Sequence, residues 1–321
     1  MSAVLTSPAL TGPALGGPAL DAAHPLTLSA WLTVLDDTLP RQVFGAEANR
    51  DVQQLATVCR ALLCLPAGLI LPESRLQRVT GALLRHPLWE DLLLTNPEWL
   101  HPALSALHLW HRHWTALPGV LRPVQRTLDA GLISRAEWTP MHLLDLSVHL
   151  HALQAGGLDL GGAPLVSPAS AARASALAGS APAWLWCYEK VSVLNYLLRA
   201  ARGGGLDVPA WTSGVTAANL VHALRALGGA AAGEREGALR ALSEHALAHA
   251  LSDAPTPALL RRALHAAAQA IPEQSVPEQS NAAQSFPDAQ DRWLWPVVAA
   301  GLAVVAARLE TPSSPESRSG P

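Results

Sequence analysis

The sequence predicts an all-α fold, a multi-helical array of antiparallel helix pairs arranged as a HEAT-like solenoid or an α/α toroid. Three observations predict it. Apolar residues recur at i, i+3, i+4 and i+7 along most of the chain, helix starts and stops are marked by capping chemistry, and the sequence holds no Asn-Gly or Asp-Gly hairpin turn and no run of alternating β-branched residues.

Taken in order, residues 1–25 carry a proline every five positions (Pro8, Pro13, Pro18), each followed by Ala-Leu, and read as a disordered low-complexity leader. An N-terminal helical body follows over 26–156. Leu28, Trp31, Leu32 and Leu35 form its first apolar stripe; Leu100, Ala103, Leu107, Trp110 and Trp114 form another, and Leu143, Leu146, Leu150 and Leu153 a third. Asn96-Pro97-Glu98 and Thr139-Pro140 place a side-chain acceptor at the N-cap and proline at the first helical position, where its missing N–H costs nothing. Gly131 marks a stop. Gly, Ala, Pro and Ser dominate 157–182, which reads as a linker. A second helical body, separate from the first or continuous with it, spans 183–271, with stripes Val191/Leu194/Leu198, Leu220/Leu224/Leu227 and Leu239/Leu242/Leu247, a stop at Gly203–Gly205 and a start at Thr256-Pro257. A linker over 272–287 contains the string PEQS twice, 288–309 is an apolar helix, and 310–321 reads as a disordered tail. The expected total is some twelve helices of about 10–20 residues. No repeat of fixed period and recognisable signature is visible, which counts against TPR and ankyrin arrays.

Composition narrows the function classes. Of 321 residues, 50% are apolar and 15% charged, so a sizeable core is expected. With 22 basic against 25 acidic side chains the net charge is -3, and no basic field exists to hold a phosphate backbone; no nucleic-acid partner is expected. Cys59, Cys64 and Cys187 lie among leucines and tryptophans at spacings that match neither a zinc nor a CxxC redox site, and read as reduced thiols. The N-terminal stretch has no basic region followed by an apolar run, which predicts a cytoplasmic chain. Lys190 is the single lysine among 22 basic residues.

The strings AWLTVLDDTL (30–39), RTLDAGLISR (126–135), TPMHLLDLSVHLHAL (139–153) and YEKVSVLNYLLRAARG (188–203) together resemble an uncharacterised all-helical bacterial family, a domain-of-unknown-function family, over about residues 26–250. The resemblance implies a multi-helical array or toroid. Such families have no assigned catalytic residues, so it implies nothing about the site.

Three clusters are candidate sites. His142, Asp145 and His149 fall at i, i+3 and i+7 on one helical face, and two imidazoles with one carboxylate are a ligand set suited to zinc or iron. That face lies opposite the leucine stripe of the same helix, so the competing reading is a solvated or inter-helix polar face. Four histidines and three tryptophans fall within Trp99–Trp114; of these, His101, His108 and His111 beside Trp110 and Trp114 would line a ligand pocket, or serve as polar tips at a helix seam. Trp184, Tyr188, Val191 and Asn195 share a helical face, an aromatic ledge ending in an amide, and in the same segment the lone lysine, Lys190, is a candidate nucleophile or compact charge. No nucleophile elbow, P-loop, HExxH, EF-hand loop or DDxxD stripe is present, and no carboxylate pair is spaced for glycoside hydrolysis.

Trp293–Ala307 is a run of 15 uncharged residues bounded by Arg292 and Arg308. It is shorter than the about 17–25 residues a membrane span needs, so a core or capping helix is expected ahead of membrane contact through 293–307. The functional expectation is a non-enzymatic helical scaffold or adaptor that binds a protein or peptide partner and needs no cofactor. The alternative is an enzyme or small-molecule-binding protein on an α/α toroid with a His/Trp-lined pocket.

Overall fold

A computed structural model describes residues 27–40, 48–66, 68–84, 93, 96, 99–114, 121–131, 140–160, 167–174, 212–270 and 292–311. Among them all regular structure is helical. Eleven α-helices follow one another: α1 (Leu28–Thr38), α2 (Ala48–Leu62), α3 (Glu73–Leu84), α4 (Leu100–His113), α5 (Leu121–Asp129), α6 (Pro140–Ala155), α7 (Pro168–Ala174), α8 (Thr212–Gly229), α9 (Arg235–Leu251), α10 (Pro257–Ala270) and α11 (Leu294–Glu310); a 3-10 turn, Ala232–Glu234, precedes α9. The predicted leader at 1–25, the linker at 272–287, residues 312–321 of the tail and the part of the second body before Thr212 lie outside the described residues.

Local chemistry sets the helix ends. Thr27 accepts the Ala30 N–H at 3.2 Å and caps α1, whose Trp31, Leu32 and Leu35 turn inward as their spacing predicts. At the end of α6, Gly157 takes φ 86°, its N–H donates to the Gln154 carbonyl at 2.9 Å, and Leu158 N–H donates to the Leu153 carbonyl at 3.0 Å. This is a Schellman stop, and it sends Leu158 into the core. Gly131, at φ 69°, ends α5 with its N–H on the Leu128 carbonyl at 3.0 Å.

Part of the predicted 157–182 linker is therefore structured. Leu158, Leu160 and Ala171 are buried, and α7 packs on α6. A Gly/Ala/Ser-rich stretch reads as a linker by composition, yet two leucines one residue apart and a small-residue helix suffice to cover a neighbour.

The order of packing differs from the order of sequence. Helix α4 lies among α2, α3, α5 and α6, and Leu100 through Leu107 are buried without interruption, on every side of the helix. Helix α11 lies among α1, α2, α9 and α10, and is buried from Pro296 through Ala307. It runs antiparallel to α1, since the Leu28 N–H donates to Glu310 Oε1 at 2.8 Å. Its alanines, valines and one glycine let backbones approach: a Cβ on Gly301 would lie 2.5 Å from Ser243 Oγ on α9. The segment predicted as an apolar helix thus forms the centre of the core. No helix among the described residues is long and apolar enough to cross a membrane. One continuous apolar cluster runs from Trp31 to Ala307.

A buried carboxylate fixes the entry to α11. Asp51 on α2, with no solvent exposure, accepts the Trp293 indole N–H at 2.8 Å and the Arg292 Nε–H at 3.1 Å, and a second Arg292 nitrogen closes the pair. A buried charge is tolerable only with such partners.

Candidate functional site

The polar residues gather where α4 crosses α6. Helix α4 presents His101, Ser105 and His108, at intervals of four and three residues on one face; α6 presents Asp145 and His149, one turn apart. The Asp145 carboxylate is 4% exposed and receives His101 Nδ1 at 2.7 Å on Oδ2. Arg60 of α2 reaches the same oxygen at 3.4 Å, and His149 Nε2 stands 3.3 Å from Oδ1.

The proton inventory follows from the acceptors. Ser105 Oγ donates to the His101 carbonyl at 2.8 Å, so its lone pair faces His149 Nε2 at 3.0 Å and that nitrogen carries a proton. His108 Nδ1 and His149 Nδ1 face each other at 3.1 Å, and one of the two supplies the hydrogen. Burial opposes ionisation of Asp145, but the charge of His149, hydrogen bonds from His101 and His149, and the Arg60 guanidinium together hold its carboxyl well below the usual carboxylate range.

This seam has the composition of a Ser-His-Asp triad without its topology. In a triad the base receives the serine hydroxyl on one nitrogen and the carboxylate on the other. Here Ser105 and Asp145 meet the same nitrogen of His149, the serine proton is spent on a backbone carbonyl, and Ser105 has no solvent exposure.

Of the predicted metal set, Asp145 and His149 point into the α4 seam while His142, one turn earlier, is exposed, with its ring centroid 5.0 Å from that of His101. Of the two readings of this polar face, solvated or inter-helix, the second describes Asp145 and His149: α6 is buried from Leu144 to Leu150, because α4 covers the side that carries them. Among the described residues no group of three or more His, Cys, Asp or Glu side chains is arranged to hold a metal ion.

The remainder of the His/Trp stretch sits at the C-terminal end of α4. Trp114 leaves the helix in extended conformation and folds back on Trp110, so that the two indoles stack with centroids 4.7 Å apart and planes 2° from parallel; both are half-buried against the core. His111 Nε2 lies 3.1 Å from the Gly156 carbonyl at the end of α6. Arg112 donates to the carbonyls of Leu63 and Leu65 just past α2, the second at 2.7 Å. It thereby ties down the start of the α2–α3 connection, in which Ile70 is 79% exposed. Burial, with the Arg112 charge, lowers the His113 pKa. The predicted ledge of Trp184, Tyr188, Val191 and Asn195, and Lys190 with it, lie outside the described residues.

Sequence reasoning missed Ser105 and Arg60. A serine inside a helical stripe and an arginine 85 positions from its carboxylate have no spacing signature. No family model, curated protein or solved structure matches the chain.

Proposed function

We propose that the protein is a non-catalytic cytoplasmic helical array that binds a protein or peptide partner through the end of the molecule where α4 stops. The observation that carries this reading is the stacked Trp110–Trp114 pair, partly exposed at an end of α4 that His111 ties to α6 and Arg112 ties to the α2–α3 connection. Tryptophan in a fixed pose supplies large contact area at little cost in conformational entropy, and it is enriched among residues that dominate interface energetics. Ile70 extends the same apolar character along the adjacent connection. The polar cluster at the α4–α6 seam supports the non-catalytic reading, since its hydrogen bonds are spent within α4 and between α4 and α6.

The second reading is an enzyme or small-molecule-binding protein on an α/α toroid. It is favoured by the His101–Asp145 pair, in which a carboxylate orients an imidazole through Nδ1 as it does for general bases.

Native mass spectrometry of the full chain, purified gently from its own host, separates the two. The expected result is a bound protein or peptide that is lost in Trp114→Ala while circular dichroism and thermal unfolding stay unchanged. A mass excess matching a metal or small molecule, retained by Trp114→Ala and lost in His101→Ala, overturns the interaction reading.

A further inference from the structure

Away from the α4–α6 seam, a second buried imidazole joins three elements. His249 lies in the last turn of α9 with no solvent exposure. The Thr256 main-chain N–H, which can only donate, meets Nε2 at 2.8 Å, so that nitrogen holds a lone pair. On the opposite side Nδ1 lies 3.1 Å from Thr216 Oγ1 of α8, and the Thr216 hydroxyl donates to the Ser213 carbonyl at 3.1 Å. With the Thr216 proton committed, Nδ1 carries the hydrogen. A single directional chain thus runs from the residue preceding α10, through the imidazole, into the first turn of α8. The turn is closed further by Ser252, whose N–H and hydroxyl both donate to the His249 carbonyl at 3.2 and 2.7 Å.

We propose that neutral His249 is a latch that closes the α8–α9–α10 corner and that acid opens, making this corner a pH-sensitive conformational switch. A second proton on the ring goes to Nε2, where it faces the Thr256 N–H donor to donor, and the bond that begins α10 is lost. The opposite end of the corner is held independently of pH, because α9 stays anchored to α11 through the Ser243 hydroxyl and the Val298 carbonyl, 3.2 Å apart.

The surroundings favour the neutral ring. Helix α8 contributes Thr216 and, further along, the exposed His222 and Arg225; α10 contributes the exposed Arg261, Arg262 and His265. Helix α9 itself carries His245 one turn earlier, and the turn carries the exposed Asp253. Helix α11 presents only apolar residues between Pro296 and Ala307. Burial lowers the His249 pKa from its usual 6.5. The closed corner therefore binds fewer protons than the open one. Its stability is complete above about pH 6.5 and falls as pH drops toward the lower, folded value.

Two measurements on the full chain test this. Long-range proton–nitrogen correlation spectra at about pH 7.5 are expected to show His249 as the Nδ1–H tautomer; an Nε2–H tautomer or an imidazolium there overturns the proposal. Hydrogen exchange of the Thr256, Ala258, Leu259 and Leu260 amides, normalised for intrinsic rates, is expected to rise by up to about tenfold per pH unit as pH falls from about 6.5 to the folded pKa. In His249→Gln, whose carbonyl accepts from Thr256 and whose amide donates to Thr216, the normalised rate is expected to stay within about twofold over that range, while His245→Leu keeps the wild-type slope. A flat wild-type profile, or a slope that survives in His249→Gln, overturns it. Should His249→Gln fail to fold, the tautomer of the wild-type ring decides.

Discussion

Replacing Asp145 by alanine removes the carboxylate on which three cations or donors of the α4–α6 seam converge, and the loss can be worked from the contacts. The 2.7 Å hydrogen bond from His101, donated to an ionised oxygen, accounts for about 1.5–3 kcal/mol. The 3.3 Å approach of His149, which has no solvent exposure, adds a buried charge interaction of comparable size. Arg60 is 20% exposed and 3.4 Å away, and adds less than about 1 kcal/mol because water screens it. The expected total is about 3–5 kcal/mol, the usual cost of breaking a buried pair from one side. Asp145→Asn, which keeps the shape and one acceptor, is expected to lose about half of that. Urea unfolding at about pH 7.5 measures both, with an unchanged m-value required for the comparison. Because the folded carboxyl titrates well below its ordinary value of 3.8, its contribution is present at every pH above 3.8 and disappears only as pH falls below it. A loss under about 1 kcal/mol for Asp145→Ala, or a wild-type–Asn difference that vanishes near pH 6, refutes the assignment of the seam as an ionised, desolvated network.

Three further outcomes follow from other contacts. Burial, with the His222 charge nearby, pushes the His245 pKa down to about 4, so the folded chain prefers the neutral ring; about 3 kcal/mol of stability, whole above pH 6.5, is lost as pH falls toward 4, and chemical denaturation across that range is expected to lose this slope in His245→Leu. Asp51→Ala removes the acceptor shared by Trp293 and Arg292 and is expected to cost about 2–4 kcal/mol, with Trp293→Phe costing less in that background than in the wild type by the value of the lost hydrogen bond, about 1–3 kcal/mol, as a double-mutant cycle by urea unfolding checks. Gly301→Ala sets a methyl group 2.5 Å from Ser243 Oγ and is expected to cost about 1–3 kcal/mol, less in a Ser243→Ala background where that oxygen is gone, as thermal unfolding of the four proteins measures.

Where structure follows from neighbours in sequence, it was readable. The inward face of α1, the proline start of α10 and the glycine stop of α5 each rest on residues within four positions of one another. The leucines at 146, 150 and 153 of α6 are buried as their spacing predicts. The spacing on the opposite face leaves a solvated and an inter-helix reading open, because an amphipathic pattern does not tell whether a polar side is covered; α6 has a partner, α4, on that side as well. His101, Asp145 and His149 were recognised as residues that act together on their own helices, yet their pairing across two helices depends on how α4 and α6 cross, which no local spacing encodes. The same holds for Asp51 with Arg292 and for His249 with Thr216, whose partners lie 241 and 33 positions away. The Trp110–Trp114 stack was legible as a shared face, but its parallel geometry comes from the chain turning extended at Trp114.

The placement of α11 has a consequence for how the chain is made. A ribosome delivers residues in order, and α1 must wait for a helix some 282 positions later before its inward face is covered. Most all-helical proteins fold quickly because their contacts are local, whereas here the central contacts join the two ends of the described chain. During synthesis Trp31, Leu35 and the facing sides of α2 and α9 lack their final cover, and such surfaces engage chaperones or one another. Closure of the core therefore waits until α11 has been made and can reach α1.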